Sequence, residues 1–200
     1  MAFGTALDGD GRSDMDARRR IAQRLDISSG WATMEQVHGA RVVRVGSAGK
    51  VEATDGLVTS TRCLPLVAGT ADCVPLVLVG GETRAIVHAG WRGIAAGIIE
   101  IAGETMHEAG DPPSRAVIGP HIGPCCYEVG PEVIDAIGGH RATTRWGTDS
   151  VHLAEAVRAR LDGVDITEVG GCTRDDERFA SHRRDQTSAR QVTVTWIPMD

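Results

Sequence analysis

Apolar residues in this chain fall into short runs of strand length, punctuated by glycine, aspartate and proline, with a few stretches of helical period between them. Residues 14–25 (DMDARRRIAQRL) set Ile21 and Leu25 four apart behind Ser13 or Asp14 as a cap, which predicts a helix. Strands are predicted where residues 30–35 leave a turn, at 41–45, at 57–59 after the Asp55-Gly56 break, at 64–68 and at 74–79. Gly80-Gly81 then turns the chain, and residues 83–88 return as the second arm of a hairpin. Residues 94–109 carry Ile94, Ile98, Ile101, Ala102 and Met106 at helical spacing. Short strands follow at 116–119 and 165–169, helices at 131–138 and 152–161, and a cleanly alternating strand at 191–197. Residues 119–130 (GPHIGPCCYEVG) hold too much Gly, Pro and Cys for a regular element and read as a shaped loop. Strands and helices intermingle, so the class is α/β or mixed-sheet α+β, as a single domain over residues 1–200.

The hairpin has a chemical consequence. If residues 80–83 form its loop, Val79 pairs with Arg84 and Pro75 with His88, and Cys73 lies two residues beyond the partner of His88. Such a diagonal spans roughly 7–8 Å between backbones, close enough for both side chains to meet on one metal ion. A shifted register would separate them. His38, in Glu35-Gln36-Val37-His38-Gly39, adds a third donor at a strand end. One thiolate and two imidazoles suit zinc and leave a fourth position open, as in catalytic sites. Against this stands the ordinary reading of a lone histidine as structural and a lone cysteine as a small hydrophobe.

Other segments have paired readings. Ala89-Gly90-Trp91-Arg92-Gly93 joins a strand to a helix, where Gly90 and Gly93 allow close approach and Arg92 offers a fork to an anion. The plain alternative is a turn with a solvated arginine. Asp72, before Cys73, is a general base, a partner of a ligating histidine or a turn cap. Cys126 and Tyr127 either face a cleft or pack their loop. Phe179-Ala180-Ser181-His182-Arg183-Arg184-Asp185 gathers cations, among them Arg184, that either bind an anionic group or face solvent.

Composition excludes more than it assigns. The 200 residues carry a net charge of −6 and are 42% hydrophobic, which is not the footprint of a nucleic-acid binder. There is no 18-residue apolar run and no signal-peptide pattern at the start, so a cytoplasmic, membrane-free protein is expected, with its five cysteines reduced. Seven histidines without a His-X-His pair argue against a multicopper centre.

QVHG, DGLVTS, TADCVPLVL, VHAGWRG and GPCCYEVGPEV, in that order, resemble the YfiH-type laccase-domain family, over roughly residues 38–190. The resemblance implies a layered α/β/β/α sandwich, distantly similar to bacterial toxin deamidases. It implies zinc on His38, Cys73 and His88, with copper described for some members. It implies phosphorolysis of adenosine, inosine and methylthioadenosine, adenosine deamination, and small-molecule partners (purine nucleoside and phosphate) for a monomer or homodimer. Other members carry polyphenol oxidase names, and one lineage is linked to peptidoglycan precursor editing. On this reading Asp72, Arg92 and Cys126 are the catalytic candidates, and Gly90, Trp91, Arg92, Gly93 and Arg184 hold phosphate or substrate. Two departures stand out. The segment before Phe3–Asp10 is shorter than usual, and the usual RRDGGRTGR-like block reads RRDQTSAR here. A metal-free cysteine hydrolase on Cys73 and His88, a copper polyphenol oxidase, and a non-enzymatic zinc module are the alternatives.

Overall fold

The computed structural model describes residues 1–199. In chain order its strands are β1 (Ala2–Phe3), β2 (Ala32–Met34), β3 (Val42–Arg44), β4 (Gly49–Val51), β5 (Gly56–Thr59), β6 (Leu66–Thr70), β7 (Val74–Val79), β8 (Arg84–Ala89), β9 (Arg115–Ile118), β10 (Arg141–Thr143), β11 (Asp149–Val151), β12 (Asp165–Glu168) and β13 (Gln191–Thr195). The helices are α1 (Met15–Leu25), α2 (Trp91–Ala95), α3 (Ile98–Glu108), α4 (Pro131–Ala136), α5 (Leu153–Arg158) and α6 (His182–Asp185). Five strands form one sheet in the order β1-β13-β6-β2-β4, and six form a second in the order β12-β9-β7-β8-β5-β3. Both are mixed: β2 runs parallel to β4 and β6, and β3 parallel to β5, among antiparallel neighbours. A separate hairpin joins β10 and β11.

The apolar alternation assigns the layers. On the six-stranded sheet, Leu76, Leu78, Ala85 and Val87 face α3 and its neighbours, packing with Ile98, Ile99, Ala102 and Met106. Val77 and Ile86 point the other way and meet Met34, Leu66 and Ala68 from the five-stranded sheet. That sheet's outer face carries Val67, Val192 and Val194 under Ile21 and Ala22 of α1. Helix, sheet, sheet and helices therefore stack in the expected order. The central strands read as unbroken apolar runs because both of their faces are covered.

Asp14 caps α1, accepting from the Asp16 and Ala17 amides. The single helix predicted over 94–109 is instead two. It begins earlier, at Trp91, and breaks at Gly97, whose φ of +83° is left-handed and open to glycine without strain. Strand β4 and the β10–β11 hairpin were not anticipated, because each is three residues long and little of it is apolar.

Three connections cross from the five-stranded to the six-stranded sheet: β2 to β3, β4 to β5, and β6 to β7. Loops from all three meet at one end of the sandwich. That meeting point is the site.

Candidate functional site

The β7–β8 register is the expected one, with Val79 opposite Arg84 and Pro75 opposite His88. Strand alternation then turns His88 and Cys73 to the same face as Ile86 and Val77, toward the five-stranded sheet. His38 arrives on the β2–β3 connection, and the ligand atoms of His38, Cys73 and His88 all lie within 4.8 Å of one another. The two imidazoles meet edge to face, centroids 4.8 Å apart. Gly90 makes room for them: a Cβ there would stand 3.1 Å from His38 Cδ2 and 3.2 Å from Cys73 Sγ.

Asp55 organises this trio. It comes from the β4–β5 connection and is fully buried. Its carboxylate accepts the backbone N–H groups of Val37 (3.1 Å), His38 (3.0 Å) and Gly39 (2.8 Å). These bonds hold the His38 loop, including the left-handed φ of +61° at His38 itself. The same carboxylate lies 2.7 Å from His88 Nδ1. With Asp55 ionised, Nδ1 carries the proton and Nε2 is left as the ligand atom, the arrangement that orients metal-binding histidines. Burial opposes the Asp55 charge, but His88 and the Gly39 and Val37 amides outweigh it and hold its pKa below the usual carboxylate value. In the sequence Asp55-Gly56 reads only as a chain break; its one signal is an aspartate beside a strand that pairs with the His88 strand.

The electrostatics of the trio are reciprocal. Burial pushes the Cys73 thiol up, yet the His88 and His38 rings bring it down to about 6. Burial disfavours a charged His88, yet Cys73 and Asp55 raise it to about 9. A thiolate beside an imidazolium is the resting form without metal.

The trio lies in a cleft of about 680 Å³. Arg12, Lys50, Arg92, Arg183 and Arg190 line it, with Trp91 and Tyr127. Arg12 is tied to Asp10 and Gln36, and Gln36 also bonds the Gly69 backbone. The Arg92 guanidinium stacks 4.3 Å over the Trp91 ring and, among the described residues, makes no ion pair or hydrogen bond. Its fork remains open to a ligand. Burial pushes the Tyr127 hydroxyl up to about 12, so it keeps its proton at neutral pH.

A model of the multi-copper polyphenol oxidoreductase laccase family matches residues 3–198. The chain belongs to that family. It is 40% identical to a protein named purine nucleoside phosphorylase from Xylella fastidiosa, over 90% of this chain and 77% of that one. A protein of the same name from Pseudomonas aeruginosa is 34% identical, over 98% and 85%. Among solved structures, YlmD from Geobacillus stearothermophilus superposes with a TM-score of 0.85 at 31% identity, covering 95% of this chain and 82% of its own. YfiH from Bacillus licheniformis gives 0.83 at 30%, covering 94% and 82%.

Within this laccase-family domain, the anticipated residues divide. His38, Cys73, His88, Asp72, Trp91 and Arg92 share the cleft, and Gly90 lies against the trio. Asp72 has a left-handed φ of +87°, and both its oxygens are engaged, by the Thr173 hydroxyl at 2.7 Å and the Arg183 amide at 2.6 Å. Gly93 is buried against the Gly39 carbonyl, where a Cβ would stand 2.9 Å away, and serves packing. Two expectations need correction. Arg184 is not in the cleft: its guanidinium donates to the Thr173, Arg174 and Phe179 carbonyls and pairs with Asp185. Its neighbour Arg183 lines the cleft instead, 5.1 Å over the Tyr127 ring. Cys126 is turned away, buried beside Cys125 and Arg145. Burial and the neighbouring Cys125 thiol push its pKa up to about 12, which does not suit a nucleophile.

Proposed function

We propose that this protein is a zinc-dependent purine nucleoside phosphorylase. The observation that carries the reading is the pairing of the His38–Cys73–His88 trio with the open guanidinium of Arg92 in one cleft. The donor set fits zinc, since one thiolate and two imidazoles leave a position for a ligand. When bound, zinc supplies Lewis acidity at the base of the cleft.

The chain's own residues supply the rest. Arg92 holds phosphate through its fork, with Arg183 and Arg190 raising the local positive potential. Phosphate positioned there attacks the anomeric carbon of the ribose, and the departing purine must gain a proton or a hydrogen bond. Tyr127, protonated at neutral pH and on the cleft wall, is suited to donate to a purine nitrogen. Asp72 fixes the Arg183 backbone and so the position of that side chain. Adenosine deamination is the finer proposal at the same site, distinguished by inosine formed without phosphate.

A second reading rests on the Cys73–His88 pair, which on its own is a thiolate–imidazolium dyad suited to hydrolysis. His38 favours the metal reading, because a dyad needs no second imidazole converging on the sulfur. Copper oxidase chemistry has less support, because among the described residues only one cluster of metal-binding groups contains histidine.

The deciding experiment counts zinc and follows adenosine with phosphate by chromatography, on wild type and Cys73→Ala. Zinc at this site that leaves with Cys73, together with adenine release that needs phosphate, supports the proposal. Nucleoside turnover absent from zinc-loaded wild type sinks it. Metal-free turnover of another ester or amide substrate that requires Cys73 would establish the dyad.

A further inference from the structure

The irregular loop at 119–130 carries a second gathering of sulfur, outside the cleft. Cys125 and Cys126 lie on one turn with their Sγ atoms 3.3 Å apart. Cys172 comes from the segment after β12, and its sulfur accepts the Gly123 N–H at 3.2 Å. Asp175 stands three residues on, its carboxylate oxygens 3.7 Å from Cys125 Sγ and 3.5 Å from Cys126 Sγ. All four donor atoms lie within 4.8 Å of one another, and all three cysteines are free thiols.

We propose that Cys125, Cys126, Cys172 and Asp175 form a second metal site, for a borderline-soft divalent cation of the zinc class. Zinc–sulfur bonds of about 2.3 Å in a tetrahedron set the sulfurs about 3.8 Å apart. The spacing present is near that value, so loading needs small side-chain shifts rather than refolding. Three thiolates and a carboxylate complete four-coordination from protein alone, which marks a structural site rather than a catalytic one. Three thiols this close cannot all ionise beside a carboxylate without a cation among them. One cation is already present: the Arg145 guanidinium lies 2.7 Å from Cys126 Sγ and pairs with Asp175. Arg145 is half exposed and sits on the β10–β11 connection, so it can swing outward as the metal enters.

The site would clamp one wall of the cleft. Cys126 adjoins Tyr127, which lines the cleft, and Cys172 adjoins Thr173, which donates to Asp72. An isolated bridge from His121 to Cys172 already aligns the two segments. Metal here would hold both in place without touching substrate.

The test uses full-length chain kept reduced, stripped with a chelator, reloaded with zinc and dialysed. Elemental analysis should find two zinc per wild-type chain, one in Cys73→Ala and one in Cys125→Ser/Cys172→Ser. Cobalt-loaded Cys73→Ala should show sulfur-to-metal charge transfer about threefold stronger per metal than cobalt on the loop variant, where Cys73 is the one sulfur ligand of the remaining trio. Metal that persists in Cys73→Ala but leaves with the loop cysteines supports this site even if the trio holds none. Folded Cys73→Ala, checked by circular dichroism, that binds no zinc and no cobalt overturns it. So does a disulfide among the three cysteines that survives metal loading.

Discussion

At the residue scale, Asp55 carries more of the site than any of the three candidate ligands. It spends one carboxylate on three backbone amides and one imidazole, all out of water. Asp55→Asn keeps the shape but places an amide where only acceptors fit. Zinc affinity, read by chelator competition, is expected to fall by about 10–100-fold; an unchanged affinity would show that the carboxylate merely fills space. The Cys73–His88 pair gives a second expectation. With Cys73 at about 6 and His88 at about 9, the metal-free pair between those values is thiolate and imidazolium. Zinc requires neutral imidazole, so its binding at pH 7.5 should release about one proton. Apparent affinity should therefore rise with pH and level off above about 9. Calorimetry in buffers of different ionisation enthalpy reads this directly, and zero proton release would refute the pairing.

At the scale of elements, the turn from β8 into α2 shows how a backbone shapes a site. Gly90 has φ −76° and ψ 163°, which any residue adopts, so its glycine is there for space rather than for conformation. Gly90→Ala should fold with nearly the parent melting temperature yet bind zinc more weakly, because His38 and Cys73 must retreat by tenths of an ångström. A large loss of melting temperature with unchanged zinc binding would place the constraint in the helix instead. Gly97, between α2 and α3, is the opposite case, since its φ of +83° penalises any side chain. Helix α2 spans only Trp91–Ala95, so under the proposed phosphorylase function phosphate binding would fall to the Arg92 fork more than to a helix dipole. Arg92→Lys, which keeps charge but loses the fork, should raise the KM for phosphate while leaving zinc content unchanged.

At the scale of the whole molecule, the site exists because two sheets face each other and three connections cross between them at one end. Leu66 lies fully buried in that interface. Leu66→Ala is expected to lower stability by about 2–5 kcal/mol in urea unfolding, and zinc should recover part of it, since a ligand bound only by the folded state stabilises that state. The apolar runs and the Gly80-Gly81 turn were enough to set the β7–β8 register and with it the convergence of Cys73 and His88, because hairpin pairing is local. The helix cap at Asp14 was legible for the same reason. Asp55, Arg183 and the loop cysteines were not, since each acquires its role from a segment distant in the chain: Asp55 from the 37–39 amides, Arg183 from Asp72, Cys126 from Asp175. The chain by itself determined the mixed-sheet class and the hairpin that brings Cys73 and His88 together, which follow from period, turn chemistry and short-range pairing; the layered sandwich and the choice of His38, Cys73 and His88 as candidate ligands of one metal, over their ordinary structural readings, came with the family resemblance. Only the tertiary structure decided what orients those ligands, which arginine enters the cleft and which sulfur turns away from it, because those choices depend on burial and on hydrogen bonds between segments that meet only when the sheets stack.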